Sequence, residues 1–153
     1  AMAAAGHFGV TADQALPPLR QVKSVAGRYT LVERQGRRVR LLLAKNPAGW
    51  LEAFDVLAPK PVPVLLAVNA QGPDGRDTSW LWDVDYRVLL GRGVYVSGER
   101  ATDLAVRLEA DQVPFEVVSG VDDAAGRTSG PELDVLANYT AFQQIRAMLG
   151  RAV

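Results

Sequence analysis

The sequence predicts an α/β domain: a Rossmann-like, mostly parallel sheet with helices on both faces and a β-hairpin at its start. Three observations predict it. Short apolar runs alternate with segments of helical period from about residue 39 to residue 149. Several of those runs, such as 62–68 (Val-Pro-Val-Leu-Leu-Ala-Val), are apolar at nearly every position, as strands covered on both faces are. Polar residues collect just after each run, where open parallel sheets place their ligands.

The start of the chain reads differently from the rest. Residues 1–8 are alanine-rich and helical in character, and Gly9 stops them. Thr11 is placed to cap a second helix, which Pro17-Pro18 is expected to interrupt. A chain that opens in mid-helix suggests a piece of a longer protein, with residues 1–24 the tail of a preceding domain plus a linker and residues 25–153 the domain proper.

From Gly27 the pattern is regular. Residues 28–34 and 39–44 flank Gln35-Gly36-Arg37 and predict a β-hairpin whose second strand is apolar on both faces. Asn46 and Pro47 open a helix as cap and first-turn proline; Trp50, Leu51, Phe54 and Leu57 recur at helical spacing until Pro59. The strand at 62–68 leads into a long loop, 69–79, and a short helix near 84–90. A strand at 93–97 precedes a helix at 100–109 with Leu104, Ala105 and Leu108 inward. A strand at 115–118, a vestigial helix at 122–125, a strand at 133–137 and a helix at 140–149 carrying Phe142, Ile145 and Leu149 complete the order.

Bulk properties narrow the function. Hydrophobic residues make up 48% and charged residues 22%, ordinary for a globular domain. Lys+Arg and Asp+Glu balance at 17 each, so the chain carries no electrostatic footprint for nucleic acid. The basic cluster Arg34, Arg37, Arg38 and Arg40 brackets the glycine turn and reads as a solvated hairpin tip. With no cysteine and His7 the one histidine, no thiolate, His-based triad or Cys/His metal site can form from this chain alone. No apolar run approaches the ~18 residues that span a bilayer. Residues 1–5 lack the charged and apolar regions of a signal peptide, so the cytoplasm is the expected compartment.

The richest rim element is 69–85. Four carboxylates (Asp74, Asp77, Asp83, Asp85) and two tryptophans (Trp80, Trp82) fall within residues 74–85. Plain structure explains some of it: Asp74-Gly75 as a turn, Asp77 or Ser79 as a helix cap, the tryptophans as core anchors. A bare connection needs only about 2–6 residues, and long loops at a binding rim tend to carry function. Ser97-Gly98-Glu99-Arg100 puts a glycine before a helix start, which suits an anion or a close backbone contact. No GxxxxGK[ST] loop occurs, so an ATP-phosphate loop must lie in other sequence.

Several segments resemble one family in order and spacing. They are Leu43-Ala44-Lys45-Asn46-Pro47-Ala48-Gly49-Trp50, Asp74-Gly75-Arg76-Asp77-Thr78-Ser79-Trp80-Leu81-Trp82-Asp83, Val96-Ser97-Gly98-Glu99-Arg100, Asp103-Leu104-Ala105-Val106-Arg107-Leu108 and Tyr139-Thr140-Ala141. Together they are similar to the C-terminal domain of MurT, the Mur-ligase-like subunit of lipid II isoglutaminyl synthase, over about residues 27–149. The resemblance implies a glutaminase partner of the GatD type that releases ammonia from glutamine. It also implies ATP, with Mg2+, activating the D-glutamate α-carboxylate of lipid II, so that attack of ammonia on the acyl phosphate gives D-isoglutamine in peptidoglycan biosynthesis. The phosphate loop and a Cys-ligated zinc ribbon belong to the family's central domain, so this domain alone is expected to bind no cofactor and to be inactive.

For individual residues the resemblance implies that an aspartate of this domain completes the partner's Cys–His pair in trans, where a carboxylate orients the histidine. The candidate catalytic carboxylates are Asp83, taken as shielded by the two tryptophans, and then Asp77; the plain alternative for Asp83 is a helix N-cap. Lys45 and Asn46 are assigned to the substrate side, with Arg100, Tyr139 and Thr140 as further substrate-binding candidates; Arg100 reads equally as a surface ion pair. Two departures stand out: Arg87 occupies a place where the family carries an acid, and the glycine-rich stretch around Gly126 and Gly130 predicts a helix reduced to a turn. The competing readings are a stand-alone Rossmann-like module for a small anionic ligand and an interaction scaffold.

Overall fold

A computed structural model describes residues 2–21, 24–25, 29–57, 60–71 and 77–150. The expected Asp74-Gly75 turn and the Pro59 helix stop lie outside the described residues. Helix α1 (Met2–His7) buries no residue, and α2 (Ala12–Arg20) follows a full capping box, Thr11 accepting from the Gln14 amide while the Gln14 side chain accepts from the Thr11 amide. Contrary to expectation, Pro17 and Pro18 lie inside α2. The carbonyls that lose their partners belong to Asp13 and Gln14, both exposed residues.

Seven strands form one sheet: β1 (Ser24–Val25), β2 (Tyr29–Arg34), β3 (Arg37–Leu43), β4 (Val64–Ala67), β5 (Val94–Ser97), β6 (Glu116–Val117) and β7 (Glu132–Ala137), in the order β1-β2-β3-β7-β4-β5-β6. The first two pairings are antiparallel, and those from β3 onward are parallel. The hairpin turn is Gln35-Gly36, both at positive φ (50° and 70°), as a two-residue turn matched to strand twist requires.

Each face of the sheet has its own core. Helices α3 (Pro47–Leu57) and α4 (Ala101–Ala110) pack with Leu66, Val96 and Leu136 on one face. Helices α5 (Val121–Arg127) and α6 (Tyr139–Gly150) pack with Leu65, Val135 and Ala137 on the other. β4 is buried at every position, as its unbroken apolar run predicts. β3 departs from that expectation: Val39 and Leu41 are buried on the α6 face, but Arg40 occupies the other. There Arg40 pairs with buried Asp134 at 2.7 and 2.9 Å. That pair raises the Arg40 guanidinium above its ordinary value.

The hairpin arginines are likewise paired rather than simply solvated. Arg34 meets Asp122 at 3.2 Å, Arg38 meets Glu132, and Arg37 donates to the carbonyls of Ala125 and Gly130. For Arg38, as for Arg40, the parallel register sets the acid, Glu132 or Asp134, directly beside it. The glycine-rich stretch forms a real helix, α5, of seven residues rather than a single turn.

Candidate functional site

Helix α3 after β3 and the segment 79–89 after β4 pack on one face and helix α6 after β7 on the other, so β7 is flanked by two switch points where strand-end loops diverge. The expected residues distribute around these points. At the β3/β7 side, Lys45 Nζ lies 4.7 Å from the centre of the Tyr139 ring, and both side chains are exposed. Asn46 caps α3, its Oδ1 accepting from the Gly49 amide at 2.9 Å. Both open onto a groove of about 490 Å³ with Gly49, Glu52 and Val56.

The β7/β4 side is laced shut. Buried Asn138 accepts at Oδ1 from the amides of Asn69 (3.1 Å) and Ala141 (3.2 Å) and donates from Nδ2 to the Asn69 carbonyl (2.8 Å). Thr140 Oγ1 donates to the Gln71 carbonyl at 2.7 Å, and Glu99 accepts from the Ala70 amide at 3.0 Å and from the Gln71 side chain at 2.5 Å. Gly98, at φ +97°, passes so close that a Cβ there would stand 2.5 Å from both the Val68 carbonyl and Asn69 Oδ1. The glycine before α4 therefore serves a close backbone contact. With that space filled by protein, the turn does not form a phosphate cradle, and the described residues contain no cluster of three His, Cys, Asp or Glu able to hold a metal ion. Among the described residues, the turn at Gly98 is therefore not arranged to hold a nucleotide's phosphates or Mg2+.

The far limb of the loop forms two 3-10 turns, Ser79–Asp83 and Tyr86–Leu89, where one helical segment was expected. The tighter turn sets successive side chains about 120° apart, which separates the two tryptophans. Trp80 turns inward, 5.7 Å from the Trp50 ring, within a cluster completed by Phe54 and Tyr86. Trp82 turns outward and is 58% exposed, and Asp83 beside it is exposed, so the tryptophans do not shield it. Nor does Asp83 cap a helix; Asp85 caps the second turn by accepting from the Arg87 amide. Trp82 also borders a groove of about 200 Å³ shared with Thr78, Ser79, Asp103 and Val106.

Most acids here have partners. Asp77 accepts from the Ser79 amide at 2.9 Å, and the Ser79 contacts hold its carboxyl below the ordinary value. Asp85 receives Arg87 in a two-pronged pair at 2.8 Å each, which pulls its carboxyl down to about 2. Asp103 bridges Arg100 (3.4 Å) and the Thr78 hydroxyl (3.0 Å). Arg100 thus makes the surface ion pair that was one of its two expected readings. Asp111 takes Arg107 (2.6 Å) and the Tyr86 amide (2.9 Å). Among the described residues of this limb, Asp83 is the carboxylate with no such partner.

Sequence reasoning gave no individual role to Asn138, Asp103 or Asp111 and did not foresee the burial of Arg107. A signal existed for Arg107, which follows Leu104 by three positions and so falls on the apolar stripe of α4.

Comparison with solved structures assigns the fold. MurF ligase from Thermotoga maritima in complex with ADP superposes with a TM-score of 0.56 at 18% identity, over 98% of this chain and 36% of that one. The UDP-N-acetylmuramate-alanine ligase MurC from the same organism gives 0.50 at 10% identity, over 99% and 36%. The architecture is therefore the α/β domain type found in Mur ligases. A family model described as MurT ligase C-terminal matches residues 43–142, and the chain belongs to that family. Two curated relatives carry the name lipid II isoglutaminyl synthase (glutamine-hydrolyzing) subunit MurT. The one from Streptococcus pneumoniae is 29% identical over 138 residues, covering 83% of this chain. The one from Staphylococcus aureus is 31% identical over 136 residues, covering 82%. This chain spans 31% of the length of each.

Proposed function

We propose that this chain is the C-terminal domain of the ligase subunit of a lipid II isoglutaminyl synthase, working in the cytoplasm with a GatD-type glutaminase. Residues 1–24 are then the end of the preceding domain and its linker. ATP-dependent activation of the D-glutamate α-carboxylate belongs to sequence outside this chain, and the whole enzyme amidates that carboxylate with ammonia released by the partner. Lys45, Asn46 and Tyr139, beside the groove at the β3/β7 switch point, face the activated substrate. Family membership and the relatives' names support this reading.

The observation that carries the partner-facing half is Asp83: an exposed carboxylate, unpartnered among the described residues, on a well-anchored turn beside exposed Trp82. Such a group is placed to accept the N–H of a histidine from another chain. It would orient the imidazole and stabilise the imidazolium formed when the partner's cysteine gives up its proton. Asp77 is the weaker choice because Ser79 already occupies its carboxylate.

The test uses the full-length ligase subunit co-expressed with its glutaminase. Asp83→Asn is expected to assemble normally yet lose glutamine hydrolysis by up to about 10⁴-fold, while Asp77→Asn keeps it. Full hydrolysis by Asp83→Asn would contradict the assignment, and its loss in Asp77→Asn alone would transfer the role.

A further inference from the structure

Arg107 is a cation in the wall of the core, 8% exposed, on a helix whose other buried residues are apolar. Its guanidinium lies 5.2 Å from the Trp82 ring and 5.4 Å from the Tyr86 ring. Its Nη2 donates to the Val84 carbonyl at 2.7 Å, and its Nη1 pairs with Asp111 at 2.6 Å. Asp111 in turn accepts from the Tyr86 amide at 2.9 Å. Arg107 therefore touches the residue before Asp83 and the residue after it, and through Asp111 it holds the start of the second 3-10 turn.

A buried charge is costly, and an ion pair of this kind adds little stability over an apolar packing of the same volume. Stability alone thus explains Arg107 poorly. What a planar guanidinium supplies is geometry: it stacks on ring faces while its edge makes directed hydrogen bonds, which a lysine ammonium does not do. Here those contacts fix the backbone on both sides of one exposed carboxylate. We propose that Arg107 is the positioning residue that sets Asp83 for the partner's histidine. The inference rests on the reading of Asp83 given above and extends it to a residue that touches neither substrate nor partner.

The test is run on the full-length ligase subunit in complex with its glutaminase, with glutamine hydrolysis as the readout. Arg107→Lys keeps the charge and loses the stack and the fork; Arg107→Met keeps the volume and loses the charge. Both are expected to assemble, to leave the glutamine KM within about twofold, and to lower kcat by about 10- to 100-fold, the scale on which small misplacement acts. In an Asp83→Asn background, Arg107→Lys is expected to lower the residual rate no further, because its effect passes through the carboxylate already removed. Three results would overturn the proposal: wild-type kcat in Arg107→Lys, failure of Arg107→Lys to assemble, or full loss on top of Asp83→Asn. Asp83→Asn with unimpaired hydrolysis would instead sink the underlying reading. An inactive Asp83→Asn beside a fully active Arg107→Lys would sink the Arg107 inference alone.

Discussion

The two limbs of the long loop are held by different forces. The near limb, residues 69–71, is fixed by amide and carboxylate hydrogen bonds from Asn138, Thr140 and Glu99, with Gly98 pressed against its base. The far limb, residues 79–89, is fixed by aromatic packing on Trp50 and by the stacked, ion-paired Arg107. The first arrangement uses its polar groups up in holding the backbone. The second leaves Trp82 and Asp83 outside. A rim that closes a switch point and a rim that presents an exposed carboxylate are thus built from different side chains in one connection.

The largest expected effect comes from removing the aromatic support of the far limb. Trp50→Ala should cost about 3–5 kcal/mol, read by chemical denaturation, because it empties the site against which Phe54, Trp80 and Tyr86 pack. Trp50→Phe should cost less, since buried Nε1 has no hydrogen-bond partner to lose. Next is Asn138→Ala. It strips partners from three backbone groups, at roughly 1 kcal/mol each, for a loss of about 3 kcal/mol. If the limbs are held independently, Asn138→Ala leaves the fluorescence of Trp82 unchanged, whereas Trp50→Ala shifts it. Gly98→Ala should cost about 1–3 kcal/mol, from a positive φ and contacts with backbone that has nowhere to move.

The smallest effect concerns Asp85. Arg87 depresses its carboxyl to about 2, so the interaction is fully present above the ordinary carboxylate value of about 3.9 and fades as pH falls through about 2. An NMR titration of Asp85 should show that low midpoint, and Arg87→Ala should return it toward the ordinary range. Both side chains are largely open to solvent, so thermal stability at neutral pH should not change measurably.

The element order was readable because periodicity is local: apolar runs at 62–68 and 133–137 became central strands, and Asn46-Pro47 opened α3. Strand order was not readable, because β7 inserts between β3 and β4 through pairings more than 60 residues apart in sequence. The loop stood out in the sequence by its length and its acids. The outward turn of Trp82 and Asp83 was not legible, since it is set by how Trp80, Leu81 and Val84 pack against distant parts of the chain. The enclosure of Arg107 was not legible either: Asp111 is its near neighbour in sequence, but the two rings that cover it come from the far limb of the loop.

The central claim is that Asp83 serves the partner's glutaminase chemistry and not the ligase step. The most direct measurement is lipid II amidation by the full complex carrying Asp83→Asn, driven in parallel by glutamine and by ammonium. Glutamine-driven amidation should collapse while ammonium-driven amidation continues. A wild-type ratio of the two rates, or an equal loss of both, would contradict the account.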